Sequence, residues 1–361
     1  MSGNERLLSL DVFRGMTIAG MIVVNSPGNN SAYAPLSHSH WNGCTPADLV
    51  FPFFLFIAGT ALDLSFARRP VPASEILRRA GALVALGFLL NAIPNYHLST
   101  FRFAGVLQRI AVCYAAAALL LLHTDLRTRA AVAAAILVGY WLLMTQVPVP
   151  GFGPGILTPE GSLASYIDRV LFGAHNYFNG PFDPEGFLST LPAIATTLLG
   201  QFAGTWLRSE RAPAERARGL FAAGIAALAV GWLWGRWFPV NKSLWTSSYV
   251  LVTGGAAASL LAALYWTLDV HGWKAWSKPF EVYGTNAIAA YVLHLLVLKA
   301  LVYTRVDLGG GPVSPRILIC DSLFGAWLSP RNASLAFALA YTGIWLAVLW
   351  GLYRRRLFLK V

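Results

Sequence analysis

Residues 244–268 read LWTSSYVLVTGGAAASLLAALYWTL, 25 consecutive positions without a charge. A bilayer-crossing helix needs roughly 17–25 mostly apolar residues, so this stretch decides the fold class. Working outward from it, nine further segments meet the same requirement: Leu8–Val24, Pro46–Phe66, Ile76–Ala92, Phe103–Leu122, Ala130–Thr145, Phe187–Trp206, Gly219–Phe238, Val282–Val302 and Asn332–Leu352. The chain reads as an all-α integral membrane protein, a polytopic bundle of about ten transmembrane helices forming one domain over residues 1–361. Ile317–Leu328 is apolar but short and is interrupted by Asp321 and Gly325. It suits an interfacial or re-entrant helix, or an eleventh span.

Composition agrees. Of the 361 residues 56% are hydrophobic and 12% charged, with a mean hydropathy of +0.56; a soluble domain carries about 25% charged residues. Disorder and a disulfide scaffold are excluded by 13 Trp, 13 Tyr and 21 Phe against 3 Cys. The first apolar stretch, broken by Asp11 and Arg14, reads as a membrane helix and not as a cleavable signal peptide. A net charge of +11 would suggest nucleic acid in a soluble protein. Here it reads as basic cytoplasmic loops, and no nucleic-acid partner is expected. With the N-terminus inside, 17 Lys and Arg fall on the inner side and seven on the outer, so both termini are expected in the cytoplasm. The long connections Ser26–Thr45, Gln146–Gly186 and Tyr303–Arg331 then lie outside.

Polar groups inside spans are expensive and mark cavities or pairs. Asp11 and Arg14 are i,i+3 and can neutralise each other or hold a ligand. Gln108 and Arg109 lie below the outer end of the fourth span, and Glu281, Asn286, His294 and Lys299 climb the ninth. Together they suggest a polar path through the bundle. Thr45-Pro46-Ala47-Asp48 has the form of a helix cap. Capping alone would account for Asp48, and a catalytic role stands beside it. His38 and His40 form a His-x-His pair in the first outer loop, but only Cys44 accompanies them, and no metal is expected. Next to Trp41 and Asn42, an acid–base or nucleophilic role fits. Cys44 and Cys320, both outside, could pair as a disulfide.

Several segments together resemble one family. They are Leu10-Asp11-Val12-Phe13-Arg14-Gly15, Asn25, and His38 with Trp41-Asn42-Gly43-Cys44-Thr45-Pro46-Ala47-Asp48-Leu49-Val50-Phe51-Pro52. Further along come Gly105-Val106-Leu107-Gln108-Arg109-Ile110, Asp183-Pro184-Glu185-Gly186-Phe187 through Ile194, Asn241-Lys242-Ser243-Leu244-Trp245 through Tyr249, and Gly284-Thr285-Asn286 with His294. In this combination the chain resembles the heparan-α-glucosaminide N-acetyltransferase family, in a bacterial, inner-membrane branch. The resemblance implies transfer of acetyl from cytoplasmic acetyl-CoA, as cosubstrate, to the amine of a glucosamine on the opposite face. It places His38 as the catalytic histidine and Asn25 as its companion, and makes a homodimer plausible; Asp48 joins them as a catalytic candidate from the reading of the residues alone. Arg78, Arg79, Lys274 and Lys278 would meet the nucleotide phosphates. The acyl arm would follow Arg14, Asp11, Asn286, His294, Gln108 and Arg109. Trp41, Asn42, Trp245 and Ser247 would contact the sugar. A neutral His38 is needed either as base or as nucleophile. Composition alone would favour a secondary transporter of a sugar or small anion, and only the family motifs reverse that.

Overall fold

Each of the ten apolar segments is helical along most of its length. The computed structural model describes residues 7–69, 71–94, 97–307 and 311–358. Arg6 and Lys360, both used in the charge count, lie outside the described residues. In chain order the helices are α1 (Leu8–Asn25), α2 (Val50–Arg68), α3 (Ala73–Ala92), α4 (Val106–His123), α5 (Leu126–Gln146), α6 (Leu163–Phe172), α7 (Thr190–Leu207), α8 (Pro213–Trp234), α9 (Ser247–Leu264), α10 (Lys278–Thr285), α11 (Ala287–Tyr303), α12 (Pro315–Cys320) and α13 (Pro330–Arg354). Among the described residues the only strands are a two-residue hairpin, Val306–Asp307 with Pro312–Val313.

Among the described residues seven helices are long and apolar enough to cross a membrane: α1, α2 with its preceding turn, α4, α5, α8, α9 with its π-helical extension, and α13. The pair α10 and α11 would make an eighth, but it is bent by 83° at Asn286. The expected single span Val282–Val302 is therefore a broken one. The expected Ile76–Ala92 and Phe187–Trp206 are helices too, yet they fall short of that test. Glu75, Arg78 and Arg79 load the first turns of α3, and α7 buries Thr196, Thr197 and Gln201 against its neighbours. The Ile317–Leu328 region holds only the last four residues of α12 and a short π turn, Asp321–Gly325, too short to span.

The centre of the bundle is α1, α2, α7 and α9, with α8 lying along α9. Backbones approach closely where side chains vanish. A Cβ on Gly15 would lie 1.7 Å from the Phe280 carbonyl oxygen, and one on Gly284 would lie 2.1 Å from that of Asp11, so α1 and α10 touch main chain to main chain. The outer faces of α5, α8 and α13 present Val138 and Leu142, Phe221 and Trp232, and Leu339 and Ile344. Uncovered apolar faces of this kind suit contact with lipid. Two of the long connections carry structure of their own, α6 in one and α12 in another. Cys44, Cys113 and Cys320 are all free thiols, so the pairing of Cys44 with Cys320 that the sequence left open is absent.

Candidate functional site

Six helices, α1, α2, α3, α4, α10 and α11, line one elongated cavity of about 1360 Å³. Its wall follows α2 through Val50, Phe54, Ile57, Ala61, Ser65 and Arg69. These recur at helical spacing over 19 residues, or about 28 Å at 1.5 Å per residue. On α1 the same face runs from Arg14 through Ile18 and Met21 to Asn25. One end is lined by Arg14, Arg69, Glu75, Arg78 and Arg79, and the other by Asn25, His38, Tyr177, Glu185, Lys242, Lys299 and Tyr303. The middle, with Phe51, Leu83, Ile110 and Leu295, is apolar.

The His38 end is built on the cap of α2. Thr45 N–H and Oγ1–H donate to Asp48 Oδ2 at 3.0 and 3.1 Å, and Ser39 N–H donates to the same oxygen at 3.1 Å. The other oxygen, Oδ1, lies 2.9 Å from His38 Nδ1. Asp48 is fully buried, whereas the His38 side chain is 49% exposed and faces the cavity. A carboxylate on Nδ1 fixes the tautomer with the proton there and leaves the Nε2 lone pair free. Asp48 thus both caps the turn that opens α2 and holds the His38 ring.

Lys242 completes this end. Its Nζ lies 3.0 Å from His38 Nδ1, 3.2 Å from Nε2 and 3.5 Å from Asp48 Oδ1. Nearly equal distances to both ring nitrogens place the ammonium beside the ring, not in line with the Nε2 lone pair. Burial lowers the proton affinity of Lys242, and Asp48 and Glu185 oppose that. The loop that carries it is stapled to the His38 loop. Asn241 Nδ2 donates to Asn42 Oδ1 at 3.1 Å, and Gly43 N–H donates to the Val240 carbonyl at 2.7 Å.

Glu185 reaches the cavity from the connection before α7. Arg102 donates to Asp183 from Nε at 2.8 Å and from Nη2 at 2.5 Å, and also to Glu185. Burial works against the Arg102 charge, but the two carboxylates outweigh it and hold the guanidinium more firmly protonated than usual. Beneath them the Asp168 carboxylate accepts the Phe187 N–H at 2.9 Å and the Asp183 N–H at 3.4 Å. A Cβ on Gly186 would lie 2.0 Å from Asp168 Oδ2, so only glycine fits that turn.

Of the residues singled out from sequence, His38, Asn25, Arg14, Arg78, Arg79 and Lys299 line the cavity. Asp11 is buried beside Arg14 and accepts from it at 3.2 Å. The others stand elsewhere. Arg109 donates to the Gly186 carbonyl and to Ser189 Oγ, and lies over the Trp245 ring at 5.0 Å. Gln108 is buried against Gly87 and Gly105. Asn286 donates to the Leu357 carbonyl at the bend, and His294 Nδ1 bonds the Ala290 carbonyl one turn back. Lys278 pairs with Glu281 and Tyr353, and Lys274 is exposed away from the cavity wall. The proposed sugar contacts are braces. Trp41 donates to the Leu157 carbonyl, Trp245 to Thr196 Oγ1 and Ser247 to the Leu137 carbonyl, while Asn42 holds Asn241. Trp245 is buried with φ 51°, a left-handed conformation that a bulky residue tolerates only under strong local constraint. Sequence reasoning missed Lys242 and Glu185, although both fall inside the quoted motifs. Among the described residues no group of three or more His, Cys, Asp or Glu is placed to hold a metal ion.

A model of the family described as heparan-alpha-glucosaminide N-acetyltransferase, catalytic, matches residues 6–236. The chain is 30% identical to the heparan-alpha-glucosaminide N-acetyltransferase of Homo sapiens over 423 aligned positions, covering 99% of this chain and 60% of the human protein. It is 29% identical to the Mus musculus protein of the same name, covering 100% of this chain and 61% of the relative. The chain thus spans about three fifths of the length of these curated relatives.

Proposed function

This chain belongs to the heparan-alpha-glucosaminide N-acetyltransferase catalytic family, and from that premise we propose that it moves acetyl from acetyl-CoA on one side of a membrane to the amine of a glucosamine-type sugar on the other. The observation that carries this reading is the single cavity joining an arginine cluster at one end to His38 and Asp48 at the other. The nucleotide of acetyl-CoA is polyanionic, and Arg78, Arg79 and Arg69 suit its phosphates. The pantetheine arm is slender and largely uncharged, and the apolar middle suits it. A volume of about 1360 Å³ exceeds the roughly 300–1,000 Å³ of an ordinary small-molecule site, as a long cosubstrate requires. No group of the protein has to travel; the thioester is delivered by length.

At the far end His38 Nε2 takes a proton from the attacking ammonium, and Asp48 holds the imidazole and the charge it acquires. Asn25 carries an amide into the same space and makes no side-chain hydrogen bond to another described residue, so its N–H is available to the thioester oxygen. A base and a nucleophile need the same neutral ring, and the half-exposed Nε2 suits the base: the acceptor can reach it directly from the mouth. In the bilayer the Arg78 end faces the cytoplasm, with both termini, and the His38 end faces outward.

Purified protein given labelled acetyl-CoA and glucosamine should yield N-acetylglucosamine, without a labelled protein when the acceptor is withheld. Movement of glucosamine into liposomes with no acetylation would replace this reading with the transporter. A cysteine at Ser31 should react with an impermeant thiol reagent from outside the cell only; reaction only from the cytoplasmic side would invert the orientation.

A further inference from the structure

We infer that Lys242 is a further catalytic residue, its ammonium donating to the oxygen of the thioester carbonyl as that oxygen becomes an oxyanion. The inference rests on the acetyl-transfer reading above and adds a group to it. Three observations carry it. Lys242 lines the cavity at the end that holds His38. Its Nζ sits 3.0–3.2 Å from both nitrogens of the imidazole, within reach of any carbon being attacked by an amine that His38 deprotonates. Its Asp48 contact, at 3.5 Å, uses only one edge of the ammonium, and a lysine has three N–H groups to give.

The position is also built rigidly. Asn241, the preceding residue, is fully buried and bonded at both ends of its amide: Nδ2 to Asn42 and Oδ1 from the Leu244 N–H at 2.8 Å. Its own N–H donates to Thr246 Oγ1 at 3.0 Å. Three residues on, Trp245 is held in its left-handed conformation by Thr196 and Arg109. Lysine on an exposed loop would be a mobile charge; here the backbone on both sides is pinned, so the donor is preorganised, which is what oxyanion stabilisation needs.

The step balances as follows. The acceptor nitrogen, having given one proton to His38 Nε2, attacks the thioester carbon. The carbonyl π pair moves to oxygen, where Lys242 and Asn25 donate. The pair returns, the C–S bond breaks, and the thiolate takes the proton from His38. The acceptor ammonium loses two protons in all; one ends on the CoA thiol and the other reaches solvent. Lys242 keeps its own proton throughout, so it must be charged to act.

That requirement gives a signature. The titratable and charged groups around Lys242 are His38, Asp48, Cys44 and Glu185. Burial depresses the lysine against the pull of these carboxylates, so kcat should fall on an alkaline limb lying below the ordinary lysine value of about 10.4. The test is steady-state acetylation of glucosamine by the purified full chain across that range, in wild type, Lys242→Met and Lys242→Arg, with acetyl-CoA affinity measured separately. We expect kcat to drop about 10²–10³-fold in Lys242→Met, the usual cost of one oxyanion donor, with acetyl-CoA affinity kept. Lys242→Arg should recover part of kcat and lose the alkaline limb. If Lys242→Met binds no acetyl-CoA, so that folding is in question, the wild-type and Lys242→Arg profiles decide alone. An active wild type with an unchanged Lys242→Met kcat, or the same alkaline limb in Lys242→Arg, overturns the inference and leaves the transferase reading standing. A wild type that makes no N-acetylglucosamine overturns the transferase reading itself.

Discussion

His38 Nδ1 and Asp48 Oδ1 lie 2.9 Å apart across the start of α2, and the carboxylate that holds the ring is the same one that caps the helix. The two oxygens divide the work: Oδ2 takes three donors from the cap and Oδ1 takes the histidine. The imidazole is thereby fixed to the beginning of a helix that lines the whole cavity.

Dividing the oxygens makes the two roles separable by mutation. Thr45→Ala removes a cap donor and should cost about 0.5–2 kcal/mol of stability, with kcat in the folded protein within about threefold. Asp48→Asn leaves a side chain of the same shape but can present its NH2 to Nδ1, favouring the wrong tautomer; such a change costs about 10⁴ in kcat in a serine protease. A loss of at least about 10²-fold in kcat is expected here. Equal kcat losses in the two variants would mean that Asp48 acts only as a cap.

His38→Ala should lower turnover at least about 10²-fold, the low end for removing a general base, while acetyl-CoA binding survives. His40→Ala should cost far less, because His40 is exposed and does not line the cavity. Kinetics of the two variants check this, and a large loss confined to His40→Ala would reassign the histidine.

The Arg78 end gives a comparison between two basic pairs that were equivalent in sequence. Arg78 and Arg79 line the cavity, Arg79 also lying over the Tyr114 ring, whereas Lys274 and Lys278 do not line it. Arg78→Ala with Arg79→Ala should raise the acetyl-CoA KM at least about tenfold, with a smaller change in kcat and a weaker dependence on salt. Lys274→Ala with Lys278→Ala should leave KM within about twofold. The reverse ranking would move the phosphate site.

What was legible in the sequence was local. Uncharged runs declared helices, and Thr45-Pro46-Ala47-Asp48 declared a cap because its two reciprocal partners, Thr45 and Asp48, sit three residues apart. Lys242 was invisible as a site residue because it meets His38 across 204 positions, and in the one-dimensional chain it counted only as an outer-loop charge. Arg109 was placed on the acyl path from its depth in α4, but depth does not say which face of a helix points inward. The 83° bend at Asn286 has no proline to announce it; Gly284-Thr285-Asn286 was its only mark, and periodicity alone ran straight through.

The corrected place of Arg109 has its own consequence. It ties the Gly186 turn, and so Glu185, to the loop of Trp245, and so Lys242. Arg109→Lys keeps a charge but loses the flat fork that bonds Gly186 and Ser189 while lying on the indole. It should destabilise the protein by about 1–3 kcal/mol and lower kcat, with the acetyl-CoA KM within about twofold, read by thermal unfolding in detergent and by kinetics. A tenfold rise in that KM with stability intact would return Arg109 to the acyl path.

Asp168 supplies a pH dependence of stability whose sign can be worked out. Burial pushes its carboxyl up to about 6, and the Phe187 and Asp183 N–H groups only partly offset that. A folded value above the ordinary carboxylate value of about 3.9 means that folding favours the protonated form. Its contribution is therefore complete below about pH 4 and lost as pH rises through about 6, on the order of 2 kcal/mol. Asp168→Asn keeps one oxygen for the N–H groups and cannot ionise, so it removes this slope. Unfolding temperatures in detergent between pH 4 and 7 should show wild type losing stability relative to Asp168→Asn as pH rises, and the gap should stop growing above about pH 7. Because Gly186 allows nothing larger than hydrogen against Asp168, the ionised carboxylate has little room to relax. A wild type that instead gains stability relative to Asp168→Asn over this range would mean that the two N–H bonds outweigh burial, and that Asp168 is held charged beneath Glu185.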